Sequence, residues 1–311
     1  MISFQQYNNA DLQNINYSEI MNQLSQNLNE FGLHVLNLTG SSLVDLSKVQ
    51  ILSELQQLNI SFNEIQDISC LAKLPKLTQL NASFNEITNV DVFQHLPSIT
   101  YLSLRNNLVT DTSALKYLVN VEELDLQNNL ISDTSFLTEL NALKVLNLTD
   151  NLVSSLARVN SPSLTHLHVS DNLIRSSYDL QFSSNLQVLD VSNNQIIDIT
   201  YLSTLVNLQQ ANFSGNCIYN FFGLYCLPFF SSFDLSSQGL ISKIEMYKNE
   251  LVHVIHKNPQ LIQMRKHKQK YLKQIKNQQL TITTHLQNQQ ILFNQVLIEC
   301  IKQQSSQSFT Q

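Results

Sequence analysis

The chain has 311 residues, 43% of them hydrophobic, with no Trp, only five Gly and a formal net charge of −6. This is enough apolar material for one or two domains with a packed core, and it excludes a wholly disordered or collagen-like chain. No uncharged apolar stretch approaches the roughly 18 residues that a membrane helix needs, so no membrane span is expected.

The charge is unevenly placed. Residues 265–311 hold seven of the 18 Lys and Arg but one of the 24 Asp and Glu, so this segment carries +6 and the rest −12. The opening, MISFQQYNNADLQN, has no basic segment followed by an apolar run, which points to a cytoplasmic or nuclear protein that is not secreted. Cys70, Cys217, Cys226 and Cys300 lack CxxC spacing. They read as buried free thiols in preference to a Cys217–Cys226 pair.

The first predicted element falls in residues 1–32. NYSEIMNQLSQNLNEFG places Ile20, Leu24, Leu28 and Phe31 on one helical face, with Asn16 and Glu19 as a capping box and Gly32 as a stop. We read it as a capping helix.

Next comes a repeat. LNISFNEI at Leu58–Ile65 returns as LNASFNEI at Leu80–Ile87. Alignment gives a frame L-x-x-L-x-L-x-x-N starting at Leu55, Leu77, Ile99, Val121, Leu143, Leu164, Leu186 and Leu208, with degraded copies at Leu33 and Phe230. The spacing is 22 residues, except 21 between Leu143 and Leu164. The alternating L-x-L predicts a strand with one buried face, and apolar residues three apart, such as Ile65, Ile68, Leu71 and Leu74, predict a short helical segment. The thirteenth place opens that segment and is Asp, Asn or Ser in nine copies, from Asp45 to Asn220, each able to cap free amides. No unit can bury its apolar face alone, so neighbours must stack.

The ninth place is Asn63, Asn85, Asn107, Asn129, Asn151, Asn172, Asn194 and Asn216. At a turn leaving a strand, such an amide can both donate to and accept from backbone groups otherwise left unpaired, so these residues are assigned to the scaffold.

These residues resemble the leucine-rich repeat family, in its 22-residue class. That class includes the leucine-rich regulatory subunit of protein phosphatase 1, the leucine-rich light chain of axonemal dynein and the bacterial internalins. The resemblance implies an α/β solenoid of about ten repeats over residues 33–264, with a parallel sheet on the concave side and short helices on the convex side. It also implies protein binding on the concave face. YKNELVHVIHKNPQLIQM (Tyr247–Met264) resembles the C-terminal cap of the phosphatase-subunit and dynein-light-chain members through Tyr247, Lys248, Leu251, Val252, Ile255, Pro259 and Leu261. Arg265 departs from the acidic residue that often follows there.

The last segment, 265–311, opens with RKHKQKYLKQIK and its six basic residues. A heptad frame from Leu272 through Ile275, Ile282, Leu286, Phe293 and Val296 suggests an amphipathic helix or coiled coil, with Gln279 and Gln289 at two of the core places. One Arg and one Tyr in Arg265–Lys276 argue against nucleic acid and for a protein partner.

No HExxH, GxSxG, phosphate-cradling glycine run or cysteine ligand pair is present, so neither enzymatic activity nor a cofactor or metal is expected. Function should rest on side chains leaving the sheet at the third, fifth and seventh places. Most are Asn, Gln, Ser or Thr. The departures are Tyr101, Arg105, Glu123, Asp125, His166 and His168, with Glu122 beside them, near the middle of the arc. Tyr and Arg are enriched where binding energy concentrates, so these are the candidate protein-binding residues. Phe62 and Phe84 share a register and read as turn packing. The expected function is a non-enzymatic adaptor, with a phosphatase regulatory subunit (and its catalytic subunit as partner) or a cytoskeletal or axonemal component as alternatives.

Overall fold

The computed structural model describes residues 33–157, 159, 161–218 and 232–234. The expected capping helix at 1–32, the cap at Tyr247–Met264 and the basic tail at 265–311 lie outside these residues.

Ten parallel strands of three residues form one open sheet in chain order. They are β1 (Val35–Asn37), β2 (Gln57–Asn59), β3 (Gln79–Asn81), β4 (Tyr101–Ser103), β5 (Glu123–Asp125), β6 (Val145–Asn147), β7 (His166–His168), β8 (Val188–Asp190), β9 (Gln210–Asn212) and β10 (Ser232–Asp234). The register aligns like places of the repeat, so that Leu58, Leu80, Leu102, Leu124, Leu146 and Leu167 lie side by side and are buried. The strands are this short because only the L-x-L of each unit alternates. From Ile65 onward the apolar residues fall three apart.

That second spacing produces five-residue 3₁₀ segments at Ser47–Ile51, Ser69–Lys73, Asp91–His95, Ser113–Tyr117, Ser135–Glu139, Tyr178–Phe182 and Thr200–Thr204. A 3₁₀ turn eclipses side chains three apart, which places Ile68, Leu71 and Leu74 on one inward edge, all buried. Asp45, Asp67, Asp111, Asp133 and Asp198 each accept from the amide two residues on, which is the first residue of the segment. The acceptor therefore sits one residue ahead of the helical cap position. The 21-residue unit has no 3₁₀ segment among its described residues. One continuous apolar core runs between the sheet and these segments, with Phe93, Phe136 and Phe213 fully buried in it. Cys217, expected to be a buried thiol, is exposed, because it follows Asn216 in the tenth place of its repeat, outside this core.

The ninth-place asparagines join neighbouring units. Asn129 Nδ2 donates to Leu126 O (3.0 Å), to Gln127 O (3.3 Å) and, one repeat back, to Leu104 O (2.9 Å). Its Oδ1 accepts from the Val109 amide, also one repeat back (3.0 Å). The same pattern holds from Asn85 to Asn216, and these side chains are buried. Asn129→Ala leaves buried backbone groups on two repeats without partners and should cost about 1–3 kcal/mol. Chemical denaturation is the check: an unchanged midpoint would contradict this role.

Candidate functional site

The concave face is built from strand residues whose neighbours along the sheet are fixed by register. Tyr101 of β4 lies beside Glu123 of β5, and Ser103 beside Asp125. β6 contributes Val145 and Asn147 and separates this group from His166 and His168 of β7. His168 in turn neighbours Asp190 of β8. The candidates therefore form two clusters separated by the β6 rung: Tyr101, Arg105, Glu123 and Asp125 in one, and His166, His168 and Asp190 in the other.

Glu122 stands apart from both. It precedes β5 and pairs with Lys144 of the next repeat (Nζ to Oε2, 2.7 Å) on well-exposed side chains. The seventh-place serines also depart from the expected outward lining. Ser61, Ser83, Ser170 and Ser192 are buried, filling space where the chain leaves the strand.

Burial controls the electrostatics of the first cluster. It raises the carboxyl pKa of Asp125, and this outweighs the opposing effects of the Gln127 amide, Arg105 and His168. The Tyr101 hydroxyl is also raised, first by burial and then by Asp125 and Glu123. In the second cluster burial lowers the His168 pKa below its usual 6.5, and the nearby His166 lowers it further, while Asp190 and Asp125 act against this. The face is thus half-buried and polar, and burial favours the neutral form of His168. Among the described residues, no group of three or more His, Cys, Asp or Glu side chains is placed to hold a metal ion, and no helix is long and apolar enough to cross a membrane.

Arg105 does not reach across the face. Its Nε donates to Asn106 Oδ1 (3.3 Å), and its guanidinium lies 5.7 Å from the ring centre of Phe84. Phe84 stacks on Phe62, with ring centres 4.2 Å apart and planes at 10°. Both phenylalanines hold left-handed backbone, at φ 58° and 56°, in the eighth place of the repeat. Elsewhere that place is Gly40, Asn106, Asn128, Asp150, Asp171, Asn193 or Gly215, residue types that tolerate such angles. Phe62 is 56% exposed. The rings stack in the turn as their shared register implies, and the pair lies at the edge of the face, continued by Arg105. They are the two bulky residues in a column otherwise made of Gly, Asn and Asp.

Three segments match models of the repeat: residues 31–87 ("Leucine rich repeat"), 75–117 ("Leucine Rich repeats (2 copies)") and 185–205 ("Leucine Rich Repeat"). The described residues have the leucine-rich repeat fold. Comparison with curated proteins returns no match. Among solved structures it resembles an internalin, InlF, from Listeria monocytogenes str. 4b F2365, at 27% identity and TM-score 0.63 over 66% of this chain and 62% of that one. Internalin C2 of the same strain matches at 28% and 0.52, over 65% and 80%. The plant peptide hormone receptor RGFR1, in complex with RGF2, matches at 20% and 0.52, over 62% and 38%, a likeness of fold alone. The chain spans about three fifths of the InlF structure. The leucine-rich repeat fold is commonly a protein-binding scaffold.

Two outcomes follow. A phenylalanine in left-handed backbone costs about 1–2 kcal/mol, against roughly 0.5–1.5 kcal/mol returned by an aromatic pair. Phe62→Asn should therefore leave the melting temperature unchanged or raised, and a clear fall in a thermal melt would contradict this balance. The second outcome concerns pH. A histidine whose folded pKa is depressed adds stability that is complete above its unfolded value, about 6.5, and is lost as pH falls through the folded value. His168→Asn should flatten the decline in melting temperature between pH 7 and pH 5, and parallel declines would exclude His168 as its source.

Proposed function

We propose that this protein is a non-enzymatic adaptor that binds a protein partner on the concave face, centred on β4 and β5. One observation carries the reading. β2 and β3 present only Gln57, Asn59, Gln79 and Asn81 at their outward strand places, whereas the adjoining β4 and β5 present Tyr101, Glu123 and Asp125. A half-buried Tyr beside two carboxylates, with Arg105 one turn away, offers the aromatic and charged anchors on which interface energy concentrates. His166 and His168 extend the surface by two rungs.

A reducing compartment, cytoplasm or nucleus, fits Cys70. Its thiol is free and donates to Leu46 O (3.4 Å), and burial pushes its pKa up to about 11. The narrower alternative of a phosphatase regulatory subunit rests on the 22-residue register, on Tyr247–Met264 and on the acidic residues Glu122, Glu123 and Asp125. A cytoskeletal or axonemal role rests on the tail segment.

Replacing Tyr101, Arg105 and Glu123 together by Ala should weaken capture of the partner by at least about tenfold, with the thermal melt nearly unchanged. Co-purification from a lysate, quantified by mass spectrometry, identifies the partner and measures the loss. If the triple variant binds as the parent does while Lys73→Glu in the 3₁₀ segment Ser69–Lys73 abolishes binding, the partner sits on the convex side.

A further inference from the structure

The tenth place of the repeat follows the asparagine and lies outside both the core and the concave face. Its residues are tied into a continuous row, because each amide donates to the eleventh-place carbonyl of the preceding repeat. Examples are Glu86 to Ile65 O, Leu108 to Ile87 O, Leu130 to Val109 O, Leu152 to Ile131 O and Leu173 to Val153 O, at 2.9–3.0 Å. Four consecutive members, Leu108, Leu130, Leu152 and Leu173, are 44–48% exposed. Isolated exposed leucines are common, but four on adjacent rungs form a contiguous apolar stripe, which marks a docking surface. Exposed carboxylates border it. Glu64 and Glu86 occupy the same place on the two preceding rungs, and Asp150 and Asp171 stand in the eighth place alongside.

The occupant must therefore be apolar along one edge and positively charged. Segment 265–302 of this chain has that chemistry. It carries +6, and its heptad frame aligns Leu272, Ile275, Ile282 and Leu286. The dimensions agree as well. At about 4.8 Å per rung the four leucines span roughly 15 Å, and the row from Glu86 roughly 19 Å. A helix from Leu272 to Leu286, fourteen rises of about 1.5 Å, would span roughly 21 Å. We propose that residues 265–302 dock in cis along the Leu108–Leu130–Leu152–Leu173 row, with their lysines among Glu64, Glu86, Asp150 and Asp171. This uses a surface separate from the concave face and does not depend on the function proposed above.

Zero-length carbodiimide cross-linking of the full chain tests it, because the reaction joins only amines and carboxylates already in contact. Between Lys266 and Lys276, cross-links should fall on Glu64, Glu86, Asp150 and Asp171. Leu130→Ser with Leu152→Ser should lower their yield about tenfold while the melt is kept, since both leucines are exposed. Ile282→Ser with Leu286→Ser should do the same from the other side of the contact, leaving the repeats untouched. Cross-links to Glu122, Glu123 or Asp125 instead, or none at all, would overturn the proposal. So would yields that survive both pairs of substitutions. A mixture of isotopically light and heavy chains supplies the last check: pairs joining light to heavy chain would show docking between copies and rule out the contact in cis.

Discussion

The asparagine ladder is the interaction on which the rest of this structure depends. A three-residue strand pairs only a few backbone groups, and the chain must then turn sharply away from the sheet. The turn leaves sixth- and seventh-place carbonyls, and eleventh-place amides, facing an apolar interior. Each asparagine answers these with one side chain that bonds both its own repeat and the one before, as Asn151 does with Leu148 O, Leu126 O and the Ile131 amide. Aspartate could not donate to the carbonyls, and serine could not reach both sides. Where serine does stand in the ninth place, at Ser41, its own amide is instead a donor to Asn63 Oδ1. The ladder thus begins one repeat inside the described solenoid.

Because the ladder fixes the turn, it also fixes which places are free to vary. The residue before each ninth place is held in left-handed backbone, from Gly40 to Gly215. The residue after it is held by a backbone bond to the preceding repeat and left with its side chain in solvent. Eighth and tenth places therefore form parallel rows along one rim, aligned by hydrogen bonds that do not depend on the residue present. In the eighth place the cost of a bulky side chain makes Phe62 and Phe84 conspicuous. In the tenth place no such cost exists, and four leucines sit there, each nearly half exposed.

This explains what could be read from the sequence and what could not. The strand places, the stacked 3₁₀ segments and the single core follow from the 22-residue frame, because each buried leucine repeats at a fixed interval. Bonds between repeats could be expected in kind, but their reach of one repeat back, as from Asn129 to Leu104 O, required coordinates. The candidate face was legible only as a list. Periodicity puts Tyr101 and Glu123 on neighbouring rungs, but it does not show that Glu122 is drawn off to Lys144, or that Arg105 leans over Phe84. Long charged side chains choose among several neighbours, and a repeat frame specifies backbone positions only. The leucine row was not legible for another reason: a repeat frame shows that the tenth place lies outside the pattern but not how exposed its side chains are.

The concave face and the leucine row also differ in what binding to each would involve. On the face, Asp125 and His168 are already partly desolvated, and burial acts on each in the direction that disfavours its charge. A partner that removes more water there must supply hydrogen bonds or an opposite charge in return, which favours selectivity over raw affinity. The leucine row asks for no such compensation, since covering apolar surface is favourable in proportion to its area. The bordering carboxylates add attraction that falls with ionic strength. A single scaffold with this leucine row and one polar face could hold a segment of its own chain by apolar contact and leave its concave side open to a partner chosen by charge and shape.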